Sequence, residues 1–333
     1  MKIAIVKLSA MGDIVHAMVA LQFLKEVHPS LQIDWVVEKV FAPVLEGNPD
    51  IDTILPIELK KVKKQKGALL EEVGKVKGYA SNGYDLVIDA QGLVKSAIVA
   101  RLLGKKRAGF SYNSIREGTA SLFYTQKVAI PYDANTIDRN VKVLGEPLGV
   151  TITPEMIRNK KPFLFYKKAE IVEPYLSREK SNVVFVIGST WESRNYPKEH
   201  FAKVAELLGE NILIAWGNDE ERERAEWIAA HSSHATVLPK LDLNALKYVI
   251  GKADLTVGND TGPTHMAWGL NRPSITLFGP TPTSRVYETP INKVIDSPSK
   301  VDPFHLNKED FSIRQIAPEK VAIVAKALLQ KGQ

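Results

Sequence analysis

The sequence KIAIV (2–6), KLSAMGD (7–13) and IVHAMVALQFLKEV (14–27) places an apolar run, a polar turn and an amphipathic stretch in succession. The apolar run predicts a buried strand, and the amphipathic stretch predicts a helix. The same alternation continues along the first half, with strands predicted at 32–37, 53–57 and 85–89 and helices near 65–80, 93–103 and 135–148. Strands that alternate with helices predict a parallel sheet covered on both faces.

The alternation restarts after the stretch NKKP (159–162), which is polar and typical of a linker. Further strands are predicted at 183–187, 212–216, 235–239, 254–258 and 274–278, and helices at 198–208, 219–231, 242–251 and about 318–330. A chain of 333 residues suits two domains. We therefore predict an α/β fold of two Rossmann-like, doubly wound domains facing a central cleft, with ligands at the carboxyl ends of the strands.

Composition narrows the class of protein. Hydrophobic residues make up 44% and charged residues 25%, as in soluble globular proteins, and there is no cysteine, which excludes disulfides and thiolate sites. The apolar run Ile3–Val6 is too short for a signal peptide, and no run approaches a membrane span of about 18 residues. We expect a cytoplasmic protein that can touch a membrane surface.

The seven histidines lack metal-ligand spacing, so we expect no metal and no other cofactor.

Positive charge is concentrated in the first half of the chain. Residues 1–165 hold 23 Lys and Arg against 17 Asp and Glu, whereas residues 166–333 hold 21 of each. This balance indicates an acidic partner, such as nucleic acid, anionic lipid or an acidic substrate, although a solvated surface fits equally well. One basic cluster contains no aromatic residue, which favours a phosphorylated lipid or acceptor over a single-stranded nucleic acid. Its members are Lys60, Lys61, Lys63, Lys64, Lys66, Lys75 and Lys77.

The first turn offers a carboxylate. Asp13 stands where the first strand passes into a helix, and Gly12 permits a tight turn. Position alone favours a capping role for Asp13. The alternative is a general base, because a helix start favours the charged carboxylate. The turn lacks G-x-G-x-x-G and Walker A patterns, which argues against an NAD-dependent dehydrogenase.

Two loops at strand ends in the second half could bind phosphate. In GNDTGPTHM (258–266), the backbone N–H groups of Thr261 and Gly262 at a helix start predict a diphosphate site, to which Thr261 and His265 can add side-chain donors. In GSTWESRNYP (188–197), hydroxyl donors and an arginine could meet a diphosphate. The alternatives are a capped helix without a ligand and an ordinary polar loop. In the second loop, the hydroxyl donors are Ser189 and Thr190, and the arginine is Arg194. The D-x-D pattern at Asp50 and Asp52 follows Pro49 and is interpreted as a surface turn.

Several longer motifs resemble one enzyme family. They are KxSxMGDxxH at the start, DWVVE (34–38), DAQGLVKSA (89–97), IRE…ASLFY (115–124) and GNDTGPTHM (258–266). Together they resemble the ADP-heptose:lipopolysaccharide heptosyltransferases, family 9 of the glycosyltransferases, over nearly the whole chain. DWVVE and DAQGLVKSA look most like the heptosyltransferase I branch, which adds the first heptose to a Kdo sugar on lipid A.

The resemblance implies a GT-B fold and a metal-independent, inverting transfer of L-glycero-D-manno-heptose from ADP-heptose to a Kdo residue of Kdo-lipid A. Residues 1–162 would bind the acceptor, 163–315 would bind ADP-heptose, and a helix in 316–333 would pack back on the first domain. It also implies peripheral contact with the anionic inner face of the inner membrane, and no nucleic acid partner.

The resemblance also assigns residues. Asp13 matches the family's general base, and Arg194 stands where members often carry lysine, close to the leaving group. The residues matched to the donor site are Ser189, Thr190, Arg194, Glu221, Leu241, Asp260, Thr261, Gly262 and His265. Those matched to the acceptor site are Lys60, Lys61, Lys63, Lys64 and Arg116.

Three alternatives stay open at this point. A second-heptose enzyme would share the motifs. A nucleotide-sugar epimerase of the GT-B type would share the fold but would leave the basic first half without a purpose. A non-catalytic nucleotide-binding or nucleic-acid-binding α/β protein would explain the positive charge alone.

Overall fold

The structure is a computed structural model that describes residues 1–62, 65 and 67–331. The chain divides into two compact units, Met1–Phe163 and Leu164–Gln333. Each unit is an α/β layer structure around a parallel sheet of six strands. Within the described ranges, no helix combines the length and the apolar character needed to span a bilayer.

The first unit is organised by a parallel sheet with the strand order β3-β2-β1-β4-β5-β6. The central strand β1 pairs with β2 and β4 in a register that places Ile5 opposite Trp35 and Val6 opposite Asp89. Both faces of the central strands are covered, so their sequences are nearly continuous apolar runs. The strands are β1 Lys2–Val6, β2 Gln32–Glu38, β3 Thr53–Ile57, β4 Leu86–Asp89, β5 Arg107–Phe110 and β6 Gln126–Val128.

The helices of the first unit form two groups. The first two helices contact the seventh, whereas the fifth and sixth pack side by side and bury Val76 and Val99 against sheet residues such as Val6. The helices are α1 Met11–Met18, α2 Ala20–Val27, α3 Ala42–Leu45, α4 Leu59–Val62, α5 Ala68–Ala80, α6 Val94–Leu103, α7 Thr136–Gly145 and α8 Pro154–Arg158. Short 3₁₀ turns occupy Lys39–Phe41, Tyr112–Ser114, Gly118–Phe123 and Glu146–Leu148.

The second unit repeats this topology. Its strand order is β12-β11-β10-β7-β8-β9, which matches the first sheet when read in reverse, and every neighbouring pair is parallel. This is the 3-2-1-4-5-6 order of doubly wound nucleotide-binding folds, so the predicted fold class is confirmed. The strands are β7 Asn182–Val186, β8 Asn211–Ala215, β9 Ala235–Val237, β10 Leu255–Asn259, β11 Ser274–Phe278 and β12 Asn292–Asp296.

The last helix contributes to the core of the second unit. Its residues Val321, Ala325 and Leu328 are buried there, and it packs on the helix 198–208. The expected packing of 316–333 on the first unit stays a prediction. The helices are α9 Lys198–Leu208, α10 Asp219–Ala230, α11 Leu243–Lys252, α12 Gly262–Gly269 and α13 Pro318–Lys331, with 3₁₀ turns at Glu173–Tyr175, Glu192–Arg194, Thr283–Arg285 and Ser312–Gln315.

Some boundaries differ from the sequence prediction. The stretch predicted as one helix over 14–27 forms α1 and α2, and α1 already begins at Met11. Strands β5, β6 and β12 were not predicted, because runs of three to five residues with polar members carry too little periodicity to be recognised.

Candidate functional site

In both units the candidate residues lie at the carboxyl edge of the sheet, the edge at which doubly wound folds bind their ligands.

Asp13 is the third residue of α1, inside the helix rather than at its junction with the strand. Its Oδ2 accepts a hydrogen bond from the backbone N–H of Ala10 at 3.2 Å. Asp13 therefore caps the helix, as position alone favours. Its other oxygen, Oδ1, accepts no hydrogen bond from the described residues, and the side chain is partly exposed. Capping and proton acceptance can thus use different oxygens of the same carboxylate.

The segment just before α1 is held in place by residues at the end of the neighbouring strand β4. Gln91 Oε1 accepts hydrogen bonds from the backbone N–H groups of Leu8 and Ser9, both at 3.0 Å. Gln91 is placed in turn by the buried Asp89, whose Oδ1 accepts from the Gln91 N–H at 2.9 Å and whose Oδ2 accepts from Tyr124 Oη at 2.7 Å. Burial raises the pKa of Asp89, and these hydrogen bonds partly offset that rise. The DAQG motif therefore shapes the turn before α1.

Two cations that the sequence did not single out lie near Asp13. Lys7 is buried and donates from Nζ to the carbonyl oxygen of Ala90 at 2.9 Å. Arg139, on α7, donates from Nη2 to the carbonyl oxygen of Ser114 at 2.8 Å. Burial lowers the pKa of both side chains, and the negative charge of Asp13 acts against that lowering in each case.

The predicted basic residues of the first unit have different environments. Lys60 is exposed, and its Nζ lies 5.5 Å from the centre of the Phe41 ring. Lys61 Nζ pairs with Glu71 Oε2 at 3.2 Å, so part of its charge is already compensated. Arg116 is exposed in the loop after β5. Lys63 and Lys64 lie outside the described residues.

A buried acid also lies at this edge. Glu38 ends β2 and is buried, and Lys60 lies close to its carboxyl. Burial raises the pKa of Glu38, and the charges of Lys60 and Lys95 partly offset the rise. The motif DWVVE thereby positions the start of the lysine-rich segment, a role that the sequence pattern did not reveal.

At the carboxyl edge of the second unit, Asp260 is the centre of a buried network. It is 1% exposed, follows β10, and accepts from Arg194 Nη2 at 2.6 Å, His265 Nε2 at 3.0 Å and Thr281 Oγ1 at 2.9 Å. Arg285 Nη1 lies 3.8 Å from the same carboxylate. Burial alone would raise the pKa of Asp260, but the hydrogen bond from His265 and the charges of both arginines hold it well below its ordinary value. The carboxylate is therefore ionised.

This network orients two predicted donor-site residues. Arg194 is 9% exposed and also donates from Nη2 to the carbonyl oxygen of Asp260. His265 is 5% exposed, and its Nε2 carries a hydrogen, since the ionised Asp260 can only accept. The Asp260 carboxylate thereby fixes the tautomer of His265 and the orientation of Arg194. The sequence did not indicate Thr281 and Arg285 as site residues, because they lie in a third loop, the one after β11.

The start of α12 can bind an anion. Thr261 is the N-cap residue, but its side chain makes no capping hydrogen bond, and Thr261, Gly262 and Pro263 are all partly exposed. Helix geometry leaves the first N–H groups without intrahelical acceptors, and the helix dipole adds partial positive charge there. The alternative of an Asp/Thr-capped helix is therefore not supported, because Asp260 is engaged by the network and the Thr261 side chain does not cap.

The loop after β7 lies beside α10. Ser189 Oγ is buried without a hydrogen-bond partner among the described residues, whereas Thr190 is exposed. Glu221, in the first turn of α10, accepts from the backbone N–H of Gly217 at 2.7 Å. An ideal Cβ on Gly188 would lie 2.1 Å from Glu221 Cδ, so the carboxylate rests directly on that glycine. Gly188, which was not predicted, makes this contact possible.

Asn259 joins the two loops that are predicted to bind phosphate. Its Oδ1 accepts from the Tyr196 N–H at 3.0 Å, and its Nδ2 donates to the Ile187 carbonyl oxygen at 2.8 Å. The buried amide thus links the segment before Ser189 to the one after Arg194. The sequence interpretation that these loops share one sheet edge is confirmed by the pairing of β10 with β7.

Leu241 lies in the loop that follows β9, an outermost strand of the second sheet. It is partly exposed and precedes Asp242, the N-cap residue of α11. Nearby, the partly exposed Trp216 donates from Nε1 to the Leu238 carbonyl oxygen at 2.7 Å, and Lys240 Nζ lies 5.9 Å from its ring centre. Trp216 was not predicted, since a lone tryptophan after a strand carries no recognisable pattern.

The described residues contain no group of three or more His, Asp or Glu side chains arranged to hold a metal ion. In the D-x-D segment, Asp52 Oδ2 accepts from the Ile33 N–H at 2.7 Å, and Asn48 Oδ1 accepts from the Asp50 N–H at 2.8 Å. These bonds are those of a turn that packs on β2.

Two doubly wound units, one with a carboxylate in its first turn and the other with an anion-binding helix start, define a glycosyltransferase of the GT-B class. More particularly, the chain belongs to glycosyltransferase family 9. The family model described as "Glycosyltransferase family 9 (heptosyltransferase)" matches residues 76–299.

Individual relatives agree with the family. Lipopolysaccharide heptosyltransferase 1 of Campylobacter coli is 36% identical over 98% of this chain and 99% of its own length. Lipooligosaccharide heptosyltransferase 2 of Haemophilus ducreyi is 26% identical over 88% of this chain and 87% of its own. Among solved structures, E. coli heptosyltransferase WaaC with ADP-2-deoxy-2-fluoro heptose is 28% identical, with a TM-score of 0.79 over 98% of this chain and 99% of that one.

Proposed function

We propose that this protein transfers L-glycero-D-manno-heptose from ADP-heptose to a Kdo residue of Kdo-lipid A, as a heptosyltransferase I. The observation that carries the proposal is the Asp260 network, which holds Arg194 and His265 on the residue that directly precedes the exposed start of α12. Such an arrangement suits a nucleoside diphosphate, and a family 9 structure similar to this chain is described with an ADP-heptose analogue.

The relatives favour the first heptose over the second. The Campylobacter heptosyltransferase 1 is 36% identical to this chain, whereas the Haemophilus heptosyltransferase 2 is 26% identical. The epimerase and non-catalytic alternatives have no comparable support, because the family model that matches is that of a transferase.

On the donor side, each predicted residue has a role that its environment permits. The Ser189 hydroxyl and the amides of Thr261 and Gly262 donate to diphosphate oxygens, and Glu221 accepts from the nucleoside hydroxyls. As the bond between the heptose and ADP breaks, negative charge grows on the departing phosphate. Arg194, His265 and the α12 dipole stabilise that charge, which lowers the barrier to departure.

On the acceptor side, Asp13 takes the proton of the attacking Kdo hydroxyl through Oδ1, the oxygen that α1 capping does not use. Attack on the side of the sugar opposite to ADP inverts the anomeric centre in one displacement. A carboxylate near the reacting carbon also stabilises its oxocarbenium character. Lys60, Lys61 and Arg116 attract the acidic acceptor, and Lys63 and Lys64 are expected to join them.

The test is incubation of the purified protein with ADP-heptose and Kdo-lipid A, with mass detection of the product in the presence and absence of EDTA. We expect one added heptose, of inverted anomeric configuration, and no effect of the chelator. Transfer only to an acceptor that already carries heptose would replace the proposal with a second-heptose enzyme. Release of free sugar without an acceptor would replace it with an epimerase.

We also propose that the enzyme works on the cytoplasmic face of the inner membrane as a peripheral protein. The reason is chemical: its acceptor is a lipid, and ADP-heptose is a cytoplasmic type of activated sugar.

A further inference from the structure

The excess positive charge of this protein comes from one continuous stretch. Residues 59–125 contain 13 Lys and Arg against 5 Asp and Glu, a net charge of +8, whereas the whole chain has a net charge of +6. The remainder of the chain is therefore slightly acidic. The attraction of this protein for an acidic partner is concentrated in the elements from α4 to the end of the Gly118–Phe123 turn.

These elements form an outer layer of the first unit. Helix α5 packs beside α6, and α6 packs beside the turn Gly118–Phe123. We call α5, α6 with the exposed Lys105 and Lys106 that follow it, and this turn the basic layer; it holds six Lys and Arg against two Asp and Glu, a net charge of +4. Its inner face contributes Val76 and Val99 to the core.

The outer face of the basic layer exposes aliphatic side chains to an unusual degree. Leu69 is 56% exposed, Leu70 78%, Ile98 44% and Leu122 74%. Single exposed apolar residues are normal on a protein surface, but four of them on adjacent elements mark an interaction surface.

Basic side chains are interspersed with these aliphatic ones. On α6, Lys95, Ile98 and Arg101 follow one another at helical spacing and are all exposed, so they form one stripe, and the exposed Lys105 follows just after the helix ends. Within the described residues, no carboxylate lies within ion-pair distance of Lys77, Arg101 or Lys105, although acids pair with lysines elsewhere in the unit. Their charges are therefore available to a partner.

We propose that the basic layer is the surface by which this protein docks on an anionic lipid bilayer. Leucine and isoleucine side chains enter the headgroup region, and the lysine and arginine heads contact lipid phosphates while their stems lie along the apolar surface. This inference rests on the proposed function, because a lipid-linked acceptor requires the enzyme to reach a membrane.

The chemistry of the layer favours a bilayer over other acidic partners. Single-stranded nucleic acid binding uses exposed aromatic platforms, whereas the exposed apolar residues of this layer are aliphatic. A second copy of the chain would bring the same positive charge to the contact and would be repelled. A bilayer accepts both the aliphatic and the cationic side chains at once.

The experiment measures sedimentation of the full chain with phosphatidylcholine vesicles, with and without phosphatidylglycerol. We expect binding only to the anionic vesicles, and weaker binding at high salt. The variant Lys77→Glu/Arg101→Glu/Lys105→Glu should lose about tenfold or more in vesicle affinity. Leu70→Ser/Ile98→Ser should lose several-fold while keeping the charge, and it serves as the second variant if the first fails to fold.

Matched controls lie in the second unit. Lys203→Glu/Lys252→Glu changes two exposed lysines, and Ile323→Ser changes an aliphatic side chain that is 69% exposed. Both should bind vesicles as the unchanged protein does. Equal losses in the controls, unchanged binding by both layer variants, or tighter binding to single-stranded DNA than to vesicles would each overturn the proposal.

A second readout separates this inference from the proposed function. Heptose transfer to a water-soluble, deacylated Kdo acceptor should be the same for the layer variants and the unchanged protein. Transfer to the soluble acceptor without any vesicle binding would reject the docking surface alone. Vesicle binding that depends on the layer, without transfer to any acceptor, would reject the proposed function alone.

Discussion

The carboxyl edges of the two sheets hold their charged side chains in different ways. In the second unit, Asp260, Arg194 and His265 are buried and bonded to one another. In the first unit, Asp13 is partly exposed, and Lys60 and Arg116 are exposed. The two sheets have the same strand order, so the difference comes from the loops rather than from the topology.

The difference suits the ligand that each edge is proposed to bind. A diphosphate is small, and its charge changes during the reaction, so donors fixed in advance in a dry network stabilise that change most effectively. A large acidic acceptor gains from exposed charges that attract it over a distance, and salt screens such charges. Changes in the second unit should therefore alter donor binding and stability, whereas changes in the first should alter acceptor binding or the proton transfer.

The largest effect is expected for Asp13→Asn, which keeps the shape but removes the proton acceptor. We expect kcat to fall about 1,000-fold. ADP affinity should be unchanged, because the proposed ADP site lies in the second unit. Steady-state kinetics and calorimetric ADP titration measure the two quantities.

The matched variant for Asp13 is Asp133→Asn, which removes another carboxylate that acts on Arg139. Its kcat should stay near that of the unchanged protein. Near-normal turnover by Asp13→Asn would remove Asp13 from its role as base.

The next effect concerns the buried network. Asp260→Asn leaves Arg194 and Arg285 without their shared carboxylate, so we expect a loss of about 3 kcal/mol in the free energy of unfolding. We expect kcat/KM to fall about 100-fold, because Arg194 and His265 lose their orientation. Urea unfolding and transfer kinetics measure these changes.

Asp254→Asn is the comparison for Asp260, since Asp254 lies at the opposite end of β10 and bonds the Asn182 N–H at 2.8 Å. It should affect kcat/KM little. If Asp260→Asn bound ADP more tightly, the carboxylate would act as a repulsive charge and not as a positioning group.

A smaller effect is expected for Gly188→Ala. The added Cβ would lie 2.1 Å from Glu221 Cδ, and the flexible glutamate side chain must move away. We expect ADP affinity to fall about tenfold, in line with the cost of losing a hydrogen bond to a charged group, while the melting temperature changes little. Gly217→Ala meets Glu221 Oε2 only at 3.5 Å and should bind ADP normally. Equal losses in both variants would contradict the role of the Gly188 contact.

The exposed edge of the first unit predicts a milder, salt-dependent effect. Lys60→Gln should raise the KM for the acceptor about fivefold at low salt and less at high salt, with kcat unchanged, as for exposed ion pairs. Lys127→Gln, an exposed lysine in β6, should leave KM unchanged. A KM increase that does not respond to salt would indicate a structural effect instead.

The smallest effect concerns a buried cation in the first unit. Burial lowers the pKa of Lys160 from 10.5 to about 7. Between these values the unfolded chain binds more protons, so stability should rise with pH by ~1 kcal/mol per unit. Relative to Lys160→Met, the unchanged protein should gain stability in urea unfolding between pH 8 and 9.5, about the middle of that window. The variant Lys161→Met, at the exposed neighbouring lysine, should keep the rise of stability with pH. If the unchanged protein and both variants all lacked this rise, the lowered pKa of Lys160 would be refuted.

Much of the fold was predictable from local patterns. The strands β1, β7, β8, β10 and β11 were recognised as apolar runs, and the helices between them as amphipathic stretches. The short strands β5 and β6 were missed, because only the neighbouring strand supplies the pairing that makes such segments extended. Asp13 was recognised, but its position inside α1 was not, because the helix start depends on how Gln91 holds Leu8 and Ser9.

By itself, the sequence determined two doubly wound units, the family, and the loops that carry Asp13, Ser189, Arg194 and Asp260, because periodicity and contiguous motifs are local properties. The tertiary structure alone decided which groups meet: Arg194 with Asp260, 66 residues apart, and Gln91 with Leu8, 83 residues apart. It also placed Lys7 and Arg139 near Asp13. In the second unit, it placed the Glu221 carboxylate against Gly188. The physical reason is that parallel pairing brings strand ends from distant parts of the chain to one edge, and no local pattern records those contacts.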